Sequence, residues 1–192
     1  YMLMGLGLFS AAGTAGAILF LIHHMPVKTV LFLVGGLIEN HQGTSRLDRS
    51  GGLATKRPII AVLFAIPALS LAGLPPFSGF VAKLGVISAG IEADQYVVVI
   101  VALVAGALTL LSMTKIWIGV FWGKTTEASA MPSARPTSKA NRSLMTGATC
   151  IAVAGTLTIS VLAGGLYELS ERAANDLRDH TSYIALTEGP DQ

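Results

Sequence analysis

The chain alternates long apolar stretches with shorter polar connections. Residues 16–38, 96–122 and 144–166 are each long enough for a helix that crosses a bilayer, which needs about 20 mostly apolar residues. A fourth apolar stretch, residues 58–90, is longer than one straight crossing requires. The pattern predicts an all-α fold, a polytopic transmembrane helix bundle that forms one membrane-embedded unit.

Prolines and glycines interrupt the longest stretch near its middle, at Gly73, Pro75, Pro76 and Gly79. Proline cannot donate a backbone hydrogen bond, and glycine tolerates torsions that end a helix. Unpaired backbone at bilayer depth is tolerated only inside protein or along a hydrated cavity, and transporters place ion sites at such breaks. We therefore predict one discontinuous helix over residues 58–90. The alternative is a proline kink in an otherwise packed helix.

Residues 1–15 are apolar at first but too few to cross a bilayer. No initiator methionine opens the chain, and no basic segment precedes a short apolar one, so the pattern does not predict a signal peptide. We interpret these residues as the end of a truncated preceding transmembrane helix with a short connection. The chain is then expected to be the C-terminal part of a longer transporter.

Composition supports a membrane protein, since 52% of the residues are hydrophobic and only 12% are charged, with a mean hydropathy of +0.64. A soluble domain carries about 25% charged residues. Motifs for nucleotide, flavin or nicotinamide binding are absent from the sequence, as are metal-ligand and cysteine clusters. The sequence predicts no cofactor, no metal site, no catalytic residue and no nucleic-acid partner, and it favours a transporter subunit over an enzyme.

Basic residues concentrate in two of the connections, residues 39–57 and 123–143. Their lysines and arginines include Arg46, Arg49, Lys56, Arg57, Lys124, Arg135, Lys139 and Arg142. The connection before Tyr96 has only acidic charge, and the tail, residues 167–192, is net acidic. Since positive loops stay in the cytoplasm, we predict that both basic loops are cytoplasmic and that the polar tail is extracytoplasmic.

Lys28 and Lys83 lie inside apolar stretches. A charged side chain at the bilayer centre costs roughly 3 to more than 10 kcal/mol, so an intramembrane lysine indicates a functional site. Two such lysines in one short chain point to a charge or proton pathway. The alternatives are that Lys83 extends to the headgroups, as long lysine stems can, and that Lys28 pairs with an acidic residue elsewhere.

His24 and Lys28 are four residues apart, which places them on one face of a helix. Histidine titrates near neutral pH and could pass protons to Lys28 through water. Pro26, between them, should bend the helix. We predict a proton relay of Lys28, Lys83 and His24. Two residues are weaker candidates, His23, which could make a polar contact between helices, and Lys115, which could extend to the cytoplasmic surface.

Several segments together resemble a known family. They are residues 21–33 (LIHHMPVKTVLFL), 51–53 (GGL), 68–83 (ALSLAGLPPFSGFVAK), 115–117 (KIW) and 121–123 (FWG), together with the opening residues 1–5. The chain is identified as a member of the proton-conducting membrane transporters, which comprise the antiporter-like subunits of respiratory complex I and of Mrp-type cation/proton antiporters. Within this family it most resembles the D-type subunits of the Mrp antiporters.

The resemblance implies the last portion of a fourteen-helix subunit. It implies that His24 and Lys28 lie on an eleventh helix, and Lys83 on a broken twelfth helix, at positions where the family carries His and Lys. It also implies proton transfer coupled to sodium extrusion, partner subunits of a hetero-oligomeric complex, membrane lipid around it, and a bacterial inner membrane. Pro26 replaces the aliphatic residue usual in the family.

Two other functions fit the same residues. One is a proton-pumping subunit of a complex I-type NADH:quinone oxidoreductase or membrane-bound hydrogenase, which would make the chain part of an enzyme. The other is a membrane scaffold whose lysines are paired and static.

Overall fold

The computed structural model describes residues 1–47, 50–123 and 139–179. Within these ranges all regular secondary structure is helical, and strands are absent. The helices are α1 (Met2–Gly7), α2 (Ala11–Gln42), α3 (Leu53–Lys56), α4 (Pro58–Ala72), α5 (Ser78–Glu92), α6 (Tyr96–Trp117), a π-helix (Ile118–Trp122), α7 (Lys139–Val161) and α8 (Ala163–Arg178).

Three segments of the described chain are long and apolar enough to cross a membrane, namely Ala11–Gln42, Tyr96–Trp122 and Asn141–Val161. The helices α4 and α5, with 15 residues each, are shorter than the roughly 20 residues that a crossing needs, so they can cross only together. The predicted all-α transmembrane bundle with one discontinuous helix is confirmed.

The helix α2 is longer than the predicted residues 16–38. It begins after Ser10, whose side-chain oxygen accepts a hydrogen bond from the Gly13 amide at 3.0 Å, a normal helix N-cap. It ends at Gly43, which takes a φ of 72°. Pro26 lies inside α2, and the helix continues on both sides of it.

The fold is organised around α2, which contacts α1, α4, α5, α7 and α8. Apolar side chains of α2 and α4 meet the π-helix in the largest buried cluster, where Phe121 is only 1% exposed. A smaller cluster joins Leu19 and Phe20 of α2 to Ala82 of α5. The second cluster fixes α5 against the half of α2 that carries the histidines.

The break in the discontinuous helix spans residues 73–77. The helix α4 ends at Gly73, whose φ of 85° is a left-handed torsion that favours glycine, and the Gly73 amide donates to the Leu69 and Ser70 carbonyls. The helix α5 then begins at Ser78. Gly79 therefore lies in the first turn of α5 and not in the connection.

The apolar stretch predicted as one crossing over residues 144–166 is divided between two helices. The helix α7 starts at Lys139, inside the predicted basic loop, and ends at Val161, while α8 runs to Arg178. The bulk of the loop 123–143 and the end of the tail, as well as Arg49, lie outside the described residues. The Arg178 guanidinium donates to the Phe9 carbonyl at 2.6 Å, which ties α8 to the connection between α1 and α2.

Candidate functional site at the helix break

The end of α4 leaves backbone carbonyls without helical partners, and a lysine from α5 reaches one of them. Lys83 is 8% exposed, and its Nζ donates a hydrogen bond to the Ala72 carbonyl oxygen at 2.7 Å. The last carbonyls of a helix carry partial negative charge, so a cation there is favourable. The Lys83 side chain thus points to the break.

Gly73 gives Lys83 the room for this contact. A Cβ atom at Gly73 would lie 2.7 Å from Lys83 Cδ and 3.1 Å from its Nζ. Any other residue would collide with the lysine stem and strain the backbone, because the φ of Gly73 is positive. Gly73 therefore both ends α4 and admits the amine.

A cavity of about 310 Å³ lies beside Lys83 and is lined mostly by apolar residues, among them Phe80, Ile87 and Leu110. The Lys83 Nζ is 5.2 Å from the centre of the Tyr1 ring, close enough for a cation–π contact. The Tyr1 hydroxyl donates to the Ala102 carbonyl on α6. The lysine amine is thus enclosed by α1, α4, α5 and α6.

His23 of α2 is fully buried, at 0% exposure. Its Nδ1 is 2.9 Å from the Ser78 hydroxyl oxygen, at the start of α5. Its Nε2 is buried and has no hydrogen-bond partner among the described residues. A Cβ at Gly79 would lie 2.8 Å from this nitrogen and would overlap the Ser70 carbonyl oxygen, so the missing side chain lets α2, α4 and α5 meet there.

The other relay candidates face elsewhere. His24 is partly exposed and stacks on Phe20 with ring centres 5.4 Å apart. Lys28 is exposed along α2 and lines a larger cavity, about 650 Å³, that Glu39 also lines. Lys115 is exposed in the last turn of α6.

The structure therefore brings Lys83 and His23 to the break, together with Gly73 and Gly79, and leaves His24, Lys28 and Lys115 at open faces of the described chain. Whether these three residues take part in a relay stays a prediction. Sequence reasoning missed Ser78, Ser160 and Tyr1. A serine or tyrosine in an apolar helix is common, so no signal in the sequence singles these three out.

Comparisons with known proteins agree on one group of membrane proteins. The sequence profile described as "NADH:quinone oxidoreductase/Mrp antiporter, TM" matches residues 1–109. The D-type subunit of the Na(+)/H(+) antiporter of Alkalihalophilus pseudofirmus is 39% identical over 96% of the chain and 36% of that protein. The protein of the same name from Bacillus subtilis is 37% identical over 65% of the chain and 25% of that protein.

A solved structure is similar over almost the whole chain. It is the Mrp complex from Dietzia sp. DQ12-45-1b, which matches with a TM-score of 0.81 and 35% identity, covering 98% of this chain and 42% of that chain. The chain spans between a quarter and a little over a third of the length of the two antiporter proteins that it matches, 25% and 36%.

Proposed function

Because the chain belongs to the NADH:quinone oxidoreductase/Mrp antiporter transmembrane family, we propose that it forms part of a proton-translocating subunit of a multi-subunit monovalent cation/proton antiporter. Relatives whose names describe a Na(+)/H(+) antiporter support protons and sodium as the exchanged ions. The proposed partners are the other subunits of such an antiporter, and the proposed location is a bacterial inner membrane.

The observation that carries the proposal is the buried amine of Lys83 at the end of α4. An ammonium in apolar surroundings is costly, and intramembrane ionisable residues mark ion or proton pathways. The Ala72 carbonyl offsets part of this cost at a place where the backbone is already unpaired. An amine held in this way can release and regain a proton without leaving the protein interior.

Two buried polar atoms support a hydrated path at the break. His23 Nε2 and Ser70 Oγ find no hydrogen-bond partner within the described ranges. Buried polar atoms are nearly always bonded to protein or to ordered water. We propose that water at the break bonds these atoms and connects them to the relay.

In this relay, Lys28 passes protons to and from the centre of the membrane, and His24 acts as a shuttle or organises water beside it. Lys83 is the terminal relay near the exit. His23 joins the proposed relay at the break.

Replacing Lys83 tests the proposal directly. In the full-length protein within its complex, Lys83→Met removes the amine but retains a long unbranched side chain. We expect sodium-driven pH changes in vesicles to fall by about a hundredfold or more, since a positioned proton-transfer group contributes on that scale. Assembly of the complex, measured by co-purification of the subunits, should be unchanged.

The matched control is Ile87→Met, one turn further along α5 and lining the same cavity. It introduces the same side chain without removing an amine, so antiport should continue at the wild-type rate. Normal antiport by Lys83→Met would refute the relay role and favour the scaffold. Co-purification of redox subunits with the wild-type protein would favour the complex I-type function instead.

A further inference from the structure

A chain of hydroxyl groups links the histidine of α2 to the helix α7. His23 Nδ1 lies 2.9 Å from Ser78 Oγ, and Ser78 Oγ lies 3.3 Å from Ser160 Oγ. Ser160 Oγ in turn lies 3.0 Å from the Thr156 carbonyl oxygen, one turn earlier in α7. The Ser78 amide also donates to Ser160 Oγ at 3.0 Å. Three helices thus meet in one hydrogen-bonded chain.

The end of this chain gives it a direction. The Ser160 hydroxyl has a single proton, and its bond to the Thr156 carbonyl oxygen, at 3.0 Å, is shorter than its contact with Ser78 Oγ, at 3.3 Å. The proton is therefore assigned to Thr156, and Ser160 is left to accept from Ser78. Ser78 then donates its own hydroxyl proton to Ser160 and can only accept from His23. In this arrangement every hydroxyl donates once, and His23 carries its proton on Nδ1.

The opposite direction places the ring proton at the break. If Ser78 donated to His23 Nδ1, the neutral ring would carry its proton on Nε2, and Nε2 has no protein partner among the described residues. The proposed water at the break would then have to accept from Nε2. In the first direction, the Nε2 lone pair is instead able to receive a proton from that water.

We propose that Ser160 is a positioning residue for His23. It fixes the tautomer with the proton on Nδ1 and thereby presents an unprotonated Nε2 to the break beside Gly79, where the ring can accept a proton from water. This inference rests on the proposed function and adds to it a residue of α7, which lies beyond the part of the chain that the family profile matches, residues 1–109.

The tautomer of His23 can be measured by nitrogen NMR. The full-length protein would be labelled with ¹⁵N-histidine, assembled in its complex and placed in lipid bilayers, and the His23 signals assigned by their loss in His23→Gln. We expect a protonated Nδ1 and an unprotonated Nε2 in the wild type. In Ser160→Ala the signals should shift toward the Nε2–H form or a mixture of both forms. Antiport in vesicles should fall by about three- to tenfold, the scale of one hydrogen bond.

Two variants separate positioning from general packing. Ser160→Thr keeps the hydroxyl and should keep both the tautomer and the antiport rate. Thr158→Ala removes another hydroxyl from the same helix, one that donates to the Ala154 carbonyl at 3.0 Å and, among the described residues, has no bond to His23 or Ser78. It should leave both unchanged.

The inference fails if wild-type His23 is protonated on Nε2. The wild-type spectrum gives this answer even if the Ser160→Ala variant does not assemble. It also fails if Ser160→Ala leaves the tautomer unchanged, or changes the tautomer without changing antiport. Failure of the proposed function is a separate result, because it would appear as wild-type-like antiport in Lys83→Met, whatever the His23 spectrum shows.

Discussion

At the helix break, single atoms decide which side chains can approach. Lys83 reaches the Ala72 carbonyl because Gly73 has no Cβ, and His23 approaches α5 because Gly79 has none. These two glycines are as important for the geometry of the site as the ionisable residues themselves. The two prolines between them interrupt the helix. The space that the glycines leave is occupied by the side chains of Lys83 and His23.

The choice between the two neighbouring histidines shows what sequence spacing can and cannot predict. Spacing places His24 on one face with Lys28, and this inference needs only helix geometry. Burial depends on which helix covers which face, and it is α5, through Gly79, that covers His23. The approach of α5 is a property of the packed bundle, so the buried position of His23 could not be predicted from local sequence.

A methyl group at Gly79 tests the importance of this approach. Gly79→Ala would place its Cβ against the Ser70 carbonyl and 2.8 Å from His23 Nε2, so α5 must shift away. We expect a loss of stability of about 1–3 kcal/mol, the usual cost of overpacking, measured by thermal unfolding of the complex. Antiport should fall as well.

The control for Gly79 is Gly155→Ala in α7, where an added Cβ meets no atom of the described chain within 4 Å. This change should be neutral or slightly stabilising, since alanine favours helices. Equal unfolding temperatures for the two variants would contradict a close approach at Gly79.

At the level of helices, α2 and α5 form the frame of the site. Gly16 of α2 lies against the Val86 backbone, where an added Cβ would be 3.0 Å from the Val86 nitrogen, and Gly85 lies against Tyr167 of α8. Small residues let helices in membranes approach closely. The prediction of a discontinuous helix came from proline and glycine, which act locally, and it is confirmed.

Other helix boundaries depend on tertiary contacts. The turn at Leu162 divides the apolar stretch just before the glycine pair Gly164–Gly165, and α8 then packs Ala163, Ser170 and Ala174 inward. Glycine is a weak helix former, but glycines also occur inside membrane helices, so the sequence analysis did not predict the division.

The contact between α2 and α5 can be opened by one substitution. Gly16→Val places a branched side chain against Val86, and the two helices must separate. We expect less assembled complex and lower antiport, measured by subunit co-purification and by vesicle assays. Gly147→Val makes the same change in α7, where an added Cβ meets none of the described residues within 4 Å, and should leave assembly intact. A similar yield of both variants would show that close packing at Gly16 is unimportant.

For the whole molecule, fold class was predictable because composition and segment length alone separate membrane bundles from soluble proteins. Orientation stays a prediction, since it rests on loop charges, and Arg49, Lys124 and Arg135 lie outside the described residues. Within the described residues, Ser45 and Gln95 are exposed and lie on two different connections. The charge pattern assigns these connections to opposite sides of the membrane.

Labelling with a membrane-impermeant thiol reagent tests this orientation. Cys150 is exposed and would first be replaced by Ala. In that background, Ser45→Cys should react only from the cytoplasmic side and Gln95→Cys only from the outside, because both positions lie on connections and basic loops stay inside. The Cys150→Ala protein without a second substitution gives the level of unspecific labelling. Reaction of both cysteines from one side would overturn the assignment.

The hydrogen bond from Lys83 to the Ala72 carbonyl does not require a charged lysine. A neutral amine still has two N–H groups, so it can donate to the same oxygen after its proton has gone. In the proposed relay, the amine can then switch between two electrical states while its atoms stay in place. Neighbouring helices would sense the switch as a change in field without any rearrangement of their packing.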